Sequence, residues 1–272
     1  MEYGCCLNML SEGPDGIGLE HIDIFSNSGY DYVELPLAEM MALSEGAFAK
    51  LWADLQASQI PCRCCNNFFP KTMRLTGPDV DQAAIDRYVA QALRLADRLG
   101  SRTIVFGSGG AKHVPEGFPM EKGYEQVVRL LRRIDREAAG YGITIVIEPL
   151  RKAECNLINT FEEGCQLAGA VGGRHVKVLV DHYHLTEEQE PLSHPLKNGK
   201  KWLHHVHFAN PEGRIFPRSA DEDGYTAFFQ TLRAIGYEGT VSIEAYSQSV
   251  SKDAPAALLL LKNALGPSTS TC

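Results

Sequence analysis

Ile143-Thr-Ile-Val-Ile-Glu148-Pro-Leu-Arg-Lys-Ala-Glu154-Cys-Asn156 is the stretch whose reading decides the fold. Its opening run is β-branched and bounded by Gly142 and Pro149, the pattern of a buried parallel strand. Alternation along a strand sends Ile143, Ile145 and Ile147 to one face and Thr144, Val146 and Glu148 to the other. A carboxylate thus ends the strand on the face opposite three isoleucines. Burial there is costly unless the group is paired or holds a metal. Glu148 is therefore expected to be one of four ligands to a divalent cation, with the other three on later strands.

Outward from that strand, the chain alternates strand-like and helix-like segments. Before it, strands are expected at Tyr3–Leu7, Tyr32–Pro36, Pro61–Asn67 and Thr103–Phe106. The helices between them are expected at Gly18–Asn27, through Phe48, Leu51, Trp52 and Leu55, at Asp79–Leu99 and at Tyr124–Ala139. The Asp79–Leu99 segment carries an apolar stripe of Ala84, Ile85, Val89, Ala92, Leu93 and Ala96, and Gly100 ends it. After it come a helix at Phe161–Ala170, with Thr160 as N-cap and Glu163 in the capping-box position, and strands at Val176–Asp181, Trp202–Phe208 and Thr240–Glu244. Helices at Tyr225–Ile235 and Pro255–Leu265 complete the set, the last with its proline in the first turn.

Eight βα units without a linker match one (β/α)₈ TIM barrel, a fold of about 250 residues. The barrel is expected over 1–265, with a flexible tail over 266–272. A doubly wound open sheet would carry a glycine-rich nucleotide turn after its first strand, and Ser11-Glu-Gly-Pro-Asp-Gly16 is not one.

Composition narrows the function classes. The 272 residues include 34 acidic and 26 basic side chains, a formal charge of −8, which argues against a nucleic-acid partner. No apolar run approaches the roughly 18 residues of a membrane span, and no signal peptide is evident. The eight cysteines, clustered as Cys5-Cys6 and Cys62-Arg-Cys64-Cys65, do not read as a secreted disulfide framework. Buried free thiols and a cytoplasmic location are expected.

In a TIM barrel the chemistry sits at the C-terminal mouth, so the last inward residue of each strand matters most. Those positions give Glu34, Glu148, Asp181, His207 and Glu244. For Glu34, a substrate contact and a structural hydrogen bond both remain open. Three carboxylates and an imidazole at one point would repel without a cation among them. Oxygen-rich ligation with one nitrogen suits Mn²⁺, Mg²⁺ or Co²⁺ better than a closed zinc site.

With these motifs in view, the chain resembles the xylose isomerase-like sugar phosphate isomerase/epimerase superfamily, and within it the D-tagatose 3-epimerase and D-psicose 3-epimerase group. The resemblance rests on Glu148-Pro-Leu with Glu154 and Asn156, Asp181-His-Tyr-His184, His205-Val-His207 and Ser242-Ile-Glu244. It implies metal ligation by Glu148, Asp181, His207 and Glu244, with Mn²⁺ first and Mg²⁺, Co²⁺ or Zn²⁺ as alternatives. It further implies substrate binding by Glu154 and His184, a small sugar or sugar phosphate as substrate, and assembly as a homodimer or homotetramer.

Two departures from the family pattern stand out. Arg214 is the nearest counterpart of the family's substrate arginine but arrives one residue late, and Arg151-Lys152 replaces the usual Asn-Arg. A cation pair at the mouth would suit a phosphorylated or acidic sugar, and solvated loop charges are the simpler reading. The implied chemistry is C3 epimerisation of a ketose through a metal-stabilised enediolate, with Glu148 and Glu244 handling the proton from opposite faces. An inosose-type dehydratase and a hydroxypyruvate-type aldose–ketose isomerase are the alternatives on the same site. Metal-dependent nuclease chemistry would need more histidines and a basic face.

Gly107-Ser-Gly-Gly110 reads as a flexible barrel loop, because no P-loop Lys-Ser/Thr follows it. His204 is expected to face the helix layer.

Overall fold

The computed structural model describes residues 1–220, 222 and 224–266. Of the tail read at 266–272, residues 267–272 lie outside the described residues. Eight strands, β1 (Glu2–Cys6), β2 (Tyr32–Pro36), β3 (Cys62–Asn66), β4 (Thr103–Phe106), β5 (Thr144–Ile147), β6 (Val176–Asp181), β7 (Leu203–Phe208) and β8 (Thr240–Ile243), pair in chain order. Every pairing is parallel, and β8 returns to β1 to close the barrel. The fold expected from the alternating segments is the one observed. Among the described residues no helix is long and apolar enough to cross a membrane.

Strand parity divides the interior as the isoleucine run implied. Ile143, Ile145 and Ile147 pack into the large core between barrel and helices, whereas Val146 points inward to Val105 and Leu179. These three form an apolar cluster inside the barrel. The opposite side is polar: Tyr32, Glu34, His205, His207 and Ser242 are all fully buried. Hydrogen bonds offset their desolvation. Tyr32 Oη and Ser242 Oγ are 2.9 Å apart, Ser242 Oγ donates to Glu34 Oε2 at 2.6 Å, and the His205 ring meets Thr240 Oγ1 at 2.7 Å. Gly4 makes room for this arrangement, since a Cβ there would stand 2.2 Å from the Tyr32 ring.

The helices follow their caps. Asp81 accepts from the Ala84 N–H and starts Gln82–Leu99 three residues later than the apolar pattern alone implied; Gly100, at φ 79°, ends it. Thr160 and Glu163 form the expected capping box at the head of Phe161–Val171. The 18–27 segment divides into a 3₁₀ turn, Leu19–His21, and a helix, Ile22–Ser28. The last helix runs Val250–Leu265, so Pro255 lies beyond the first turn rather than within it. There its ring forfeits one backbone hydrogen bond. Short helices at Leu37–Met41, His182–Glu187 and Ser193–Trp202 were not foreseen, being too short or too polar to show a clear period.

Gly4→Ala is expected to destabilise the barrel by about 1–3 kcal/mol, the usual cost of overpacking. Urea unfolding measures this, and an unchanged midpoint would mean that the Tyr32 ring can move aside.

Candidate metal centre and active site

Glu148, Asp181, His207 and Glu244 are brought together at the C-terminal mouth, each offering a ligand atom within 4.8 Å of the others. Asp181 closes β6 and His207 lies in β7, while Glu148 and Glu244 stand one residue past β5 and β8. The ladder still carries those two: Glu148 N–H donates to Phe106 O at 3.2 Å, and Glu244 N–H to Phe208 O at 3.1 Å. Inward parity therefore survives past the strand ends. The loop after β4 yields to Glu148, because a Cβ on Gly107 would lie 2.2 Å from Glu148 Oε2.

His207 joins the mouth to the barrel interior. Its Nδ1 lies 3.0 Å from Glu148 Oε1 and 3.1 Å from Glu244 Oε2, and its Nε2 lies 3.1 Å from Glu34 Oε1. Glu34 Oε2 in turn receives His205 Nε2 at 3.0 Å. Of the two readings left open for Glu34, the geometry selects the structural one. Fully buried below the mouth, it does not line the cavity.

The charges in this cluster are in conflict. Burial raises the Asp181 carboxyl to about 7; Arg214 opposes the shift, and Glu244 and Glu148 add to it. Burial works against ionised Glu244 as well, but Arg214 and His207 hold it below the usual carboxylate range. Glu34 is likewise kept low against its own burial by His207 and His205. The donor set consists of three carboxylates and one imidazole nitrogen with no room to separate, which is what a hard divalent cation with one nitrogen ligand requires. The residues present fit such an ion.

The expected substrate residues stand around this cluster. Arg214, despite its late position, reaches it: Nη2 is 2.5 Å from Glu244 Oε2 and 3.4 Å from Asp181 Oδ2. Its guanidinium lies over the Tyr183 ring at 4.8 Å, and Arg151 lies 5.2 Å from the same ring. His184 Nε2 is 3.6 Å from Asp181 Oδ2 and 4.0 Å from Glu154 Oε2. Burial, helped by the Arg214 charge, drops His184 to about 4, so its ring is neutral at neutral pH. Asn156, part of the same sequence motif, is structural; its side chain exchanges two 2.9 Å hydrogen bonds with the Val114 backbone.

Arg151 and Lys152 are not a free cation pair. Arg151 binds Glu154 at 2.8 Å and Glu187 at 2.9 Å, and Lys152 binds Glu188 at 2.9 Å. The acids of the helix after β6 neutralise them, and that helix was absent from the sequence reading. The thiols of Cys62, Cys64 and Cys65 are buried and free. Gly109–Lys112 forms a short helix where a loop was expected, and its Lys112 is fully buried, Nζ donating to Glu148 O at 2.9 Å. His204 is only partly buried and lines a separate cavity at the other end of the barrel.

The mouth cavity measures about 560 Å³. Besides Glu148, Glu154, His184, Arg214 and Glu244 it is lined by Asn8, Glu39, Asn67, Lys71 and Tyr246. Sequence reasoning missed these last five because loops and one-turn helices carry no readable period. Only their position just after β1, β2, β3 and β8 could have marked them.

Comparison with known proteins identifies the family of the barrel. Residues 22–264 match the model of the xylose isomerase-like TIM barrel family. The chain is 32% identical over 114 residues to 3-dehydro-D-guloside 4-epimerase of Escherichia coli (strain K12), covering 42% of this chain and 43% of that protein. It is 24% identical over 146 residues to D-psicose 3-epimerase of Enterocloster bolteae, covering 52% and 48%. In both, the match spans less than half of the relative's length. A crystal structure of D-psicose 3-epimerase in the presence of D-fructose superposes with a TM-score of 0.84 at 20% identity, over 98% of this chain and 100% of that one, a likeness of fold. With nearly the whole barrel matched, the chain belongs to the xylose isomerase-like TIM barrel family.

Proposed function

We propose that this chain is a divalent-metal-dependent epimerase of a keto sugar, acting most simply at C3 of a ketose. The observation that carries the reading is the convergence of Glu148 and Glu244 on one imidazole nitrogen, 3.0 and 3.1 Å from His207 Nδ1, from strands that are not neighbours. Epimerisation removes a carbon-bound proton and returns one to the opposite face, so it needs two proton-handling groups facing each other. Relatives named as ketose 3-epimerases support the substrate class. The relative named 3-dehydro-D-guloside 4-epimerase favours a second reading, in which the same step occurs at C4 beside a C3 carbonyl.

Glu148, Asp181, His207 and Glu244 would hold the cation, with Mn²⁺ as the first choice and Mg²⁺, Co²⁺ or Zn²⁺ as alternatives. When bound it supplies Lewis-acid stabilisation of negative charge growing on the substrate's oxygens. Glu148 and Glu244 then each take or return the proton on one face of the planar intermediate. Arg214 neutralises charge next to Glu244, and its seat on the Tyr183 ring fixes its direction. Neutral His184 donates a hydrogen bond rather than a charge, and Glu154 accepts one from a hydroxyl. Glu34 sets the imidazole: by accepting the proton on Nε2 it leaves Nδ1 facing the carboxylates as the ligating nitrogen. Among the described residues the cysteines are all buried and free, in keeping with a cytoplasmic, reducing setting.

Glu148→Gln and Glu244→Gln should each lower turnover by about 10²–10⁴-fold with the cation largely retained. NMR of a ketose turned over in ²H₂O reads the reacting centre. Deuterium entering at C3 is expected and entry at C4 selects the second reading, whereas exchange at C1 or with loss of water removes both epimerase readings.

Asp181→Ala should lose the cation and activity together while the circular dichroism of the barrel is kept; full metal content would count against the ligand set. Glu34→Gln should weaken Mn²⁺ binding by about 10–100-fold, measured by titration of the metal-free protein. Unchanged affinity would reduce Glu34 to a packing residue.

A further inference from the structure

The connection after β4 touches Glu148 twice. Gly107 leaves the space that its carboxylate occupies, and Lys112 donates from Nζ to its main-chain carbonyl at 2.9 Å. Lys112 is fully buried, with its ammonium 5.4 Å from the centre of the Phe106 ring. Burying an ammonium group is costly, and a lysine is almost never fully buried without a specific partner. Here the hydrogen-bond partner is not a carboxylate but the carbonyl of a metal-ligand candidate.

That carbonyl lies where the sheet stops supplying partners. The pairing of β5 with β6 ends at Ile147, opposite Val178. The Glu148 N–H is still held, by Phe106 O at 3.2 Å, but Pro149 brings no N–H of its own. Lys112 therefore replaces the ladder on the side of Glu148 that the ladder leaves open. Its own segment is anchored independently. Phe69 N–H donates to Ser108 Oγ at 3.0 Å, Leu75 N–H to Ala111 O at 3.0 Å, and Thr76 Oγ1 to His113 O at 2.7 Å. Asn156 adds its two 2.9 Å hydrogen bonds to the Val114 backbone. The ammonium thus grips Glu148 from a fixed base.

We propose that Lys112 is a positioning residue for Glu148: by holding the carbonyl, it fixes the direction in which the carboxylate meets the cation and the substrate. The inference rests on the metal-dependent epimerase reading of the site. Charge and grip predict changes of opposite sign. An ammonium close to a cation site opposes a divalent ion by charge alone, so its removal would tighten metal binding. Loss of its grip on a ligand would instead weaken it.

The test compares the wild type, Lys112→Met and Thr76→Val, with folding checked by circular dichroism. The threonine variant removes a hydrogen bond from the same segment without touching Glu148. In titrations of the metal-free proteins, Lys112→Met should bind Mn²⁺ about tenfold more weakly, and the visible spectrum of Co²⁺ bound in its place should change. With a free ketohexose as substrate, kcat of Lys112→Met should fall about 10–100-fold while KM stays within about twofold of the wild type. Thr76→Val should melt at a lower temperature yet keep the wild-type Mn²⁺ affinity, Co²⁺ spectrum and kcat.

Unchanged or tighter Mn²⁺ binding by Lys112→Met overturns the proposal. So does an equal loss in Thr76→Val, which would make the effect one of general packing. If Lys112→Met does not fold, Lys112→Gln carries the same measurements. Failure of both to fold assigns the lysine to the scaffold and overturns the positioning role. A wild type that turns over no ketose removes the epimerase reading alone, because the Mn²⁺ and Co²⁺ measurements still decide the role of Lys112.

Discussion

Three carboxylates crowded around one imidazole nitrogen are the constraint on which the molecule turns. Glu148, Asp181 and Glu244 converge with Arg214 and His207 opposing their charge, and Asp181, still raised to about 7 by burial and its two neighbours, registers the conflict. Much of the barrel can be understood as the means of holding them there. Parallel pairing fixes which residues point inward, the ladder continues one residue past β5 and β8, and Gly107 clears the space that the Glu148 carboxylate fills. Below, the Glu34 carboxylate fastens His207 from its other nitrogen and is itself fastened by His205 and Ser242. The polar half of the interior is thus a foundation for the site rather than a defect in the core.

Legibility in the sequence followed physical range. The isoleucine run disclosed β5 and the direction of Glu148 because side-chain parity is a local property of two-residue period. The Thr160–Glu163 capping box was readable because both partners lie within one turn. The four metal-ligand candidates emerged from applying the same parity to β6, β7 and β8, and the family resemblance pointed to the same four. Arg214 was located as well, though only the fold shows that the extra residue before it does not keep it from Glu244.

The misses concern contacts between segments distant in the chain. The partners of Arg151 and Lys152 went unseen because Glu187 and Glu188 lie more than thirty residues away, at the end of a helix with no apolar stripe to announce it. Glu34 could not be assigned to substrate or scaffold until His205 and His207 were seen beside it. Pro255 appeared to start a helix because proline favours first turns, yet Val250 to Ala254 continue the helix ahead of it. Glu39 sits in the one-turn helix Leu37–Met41 and Asn67 in a loop, both too short for period or propensity to report a role.

The mouth cavity is lined from both halves of the barrel, by Asn8, Glu39, Asn67 and Lys71 from the first and by Glu148, His184, Arg214 and Glu244 from the second, and this bears on how such a protein diversifies. The metal-ligand candidates stand at the ends of β5–β8, whose register is locked by the closed ladder and by buried hydrogen bonds to the far side of the barrel. The groups facing them stand on short connections after β1–β3, which tolerate exchange far better than strands do. Loops from the first half of a related barrel could therefore be grafted here to redirect substrate choice while the reaction itself is inherited intact. Each half of the molecule is open to recombination on its own terms, and a family built this way can gain new sugars without reinventing its chemistry.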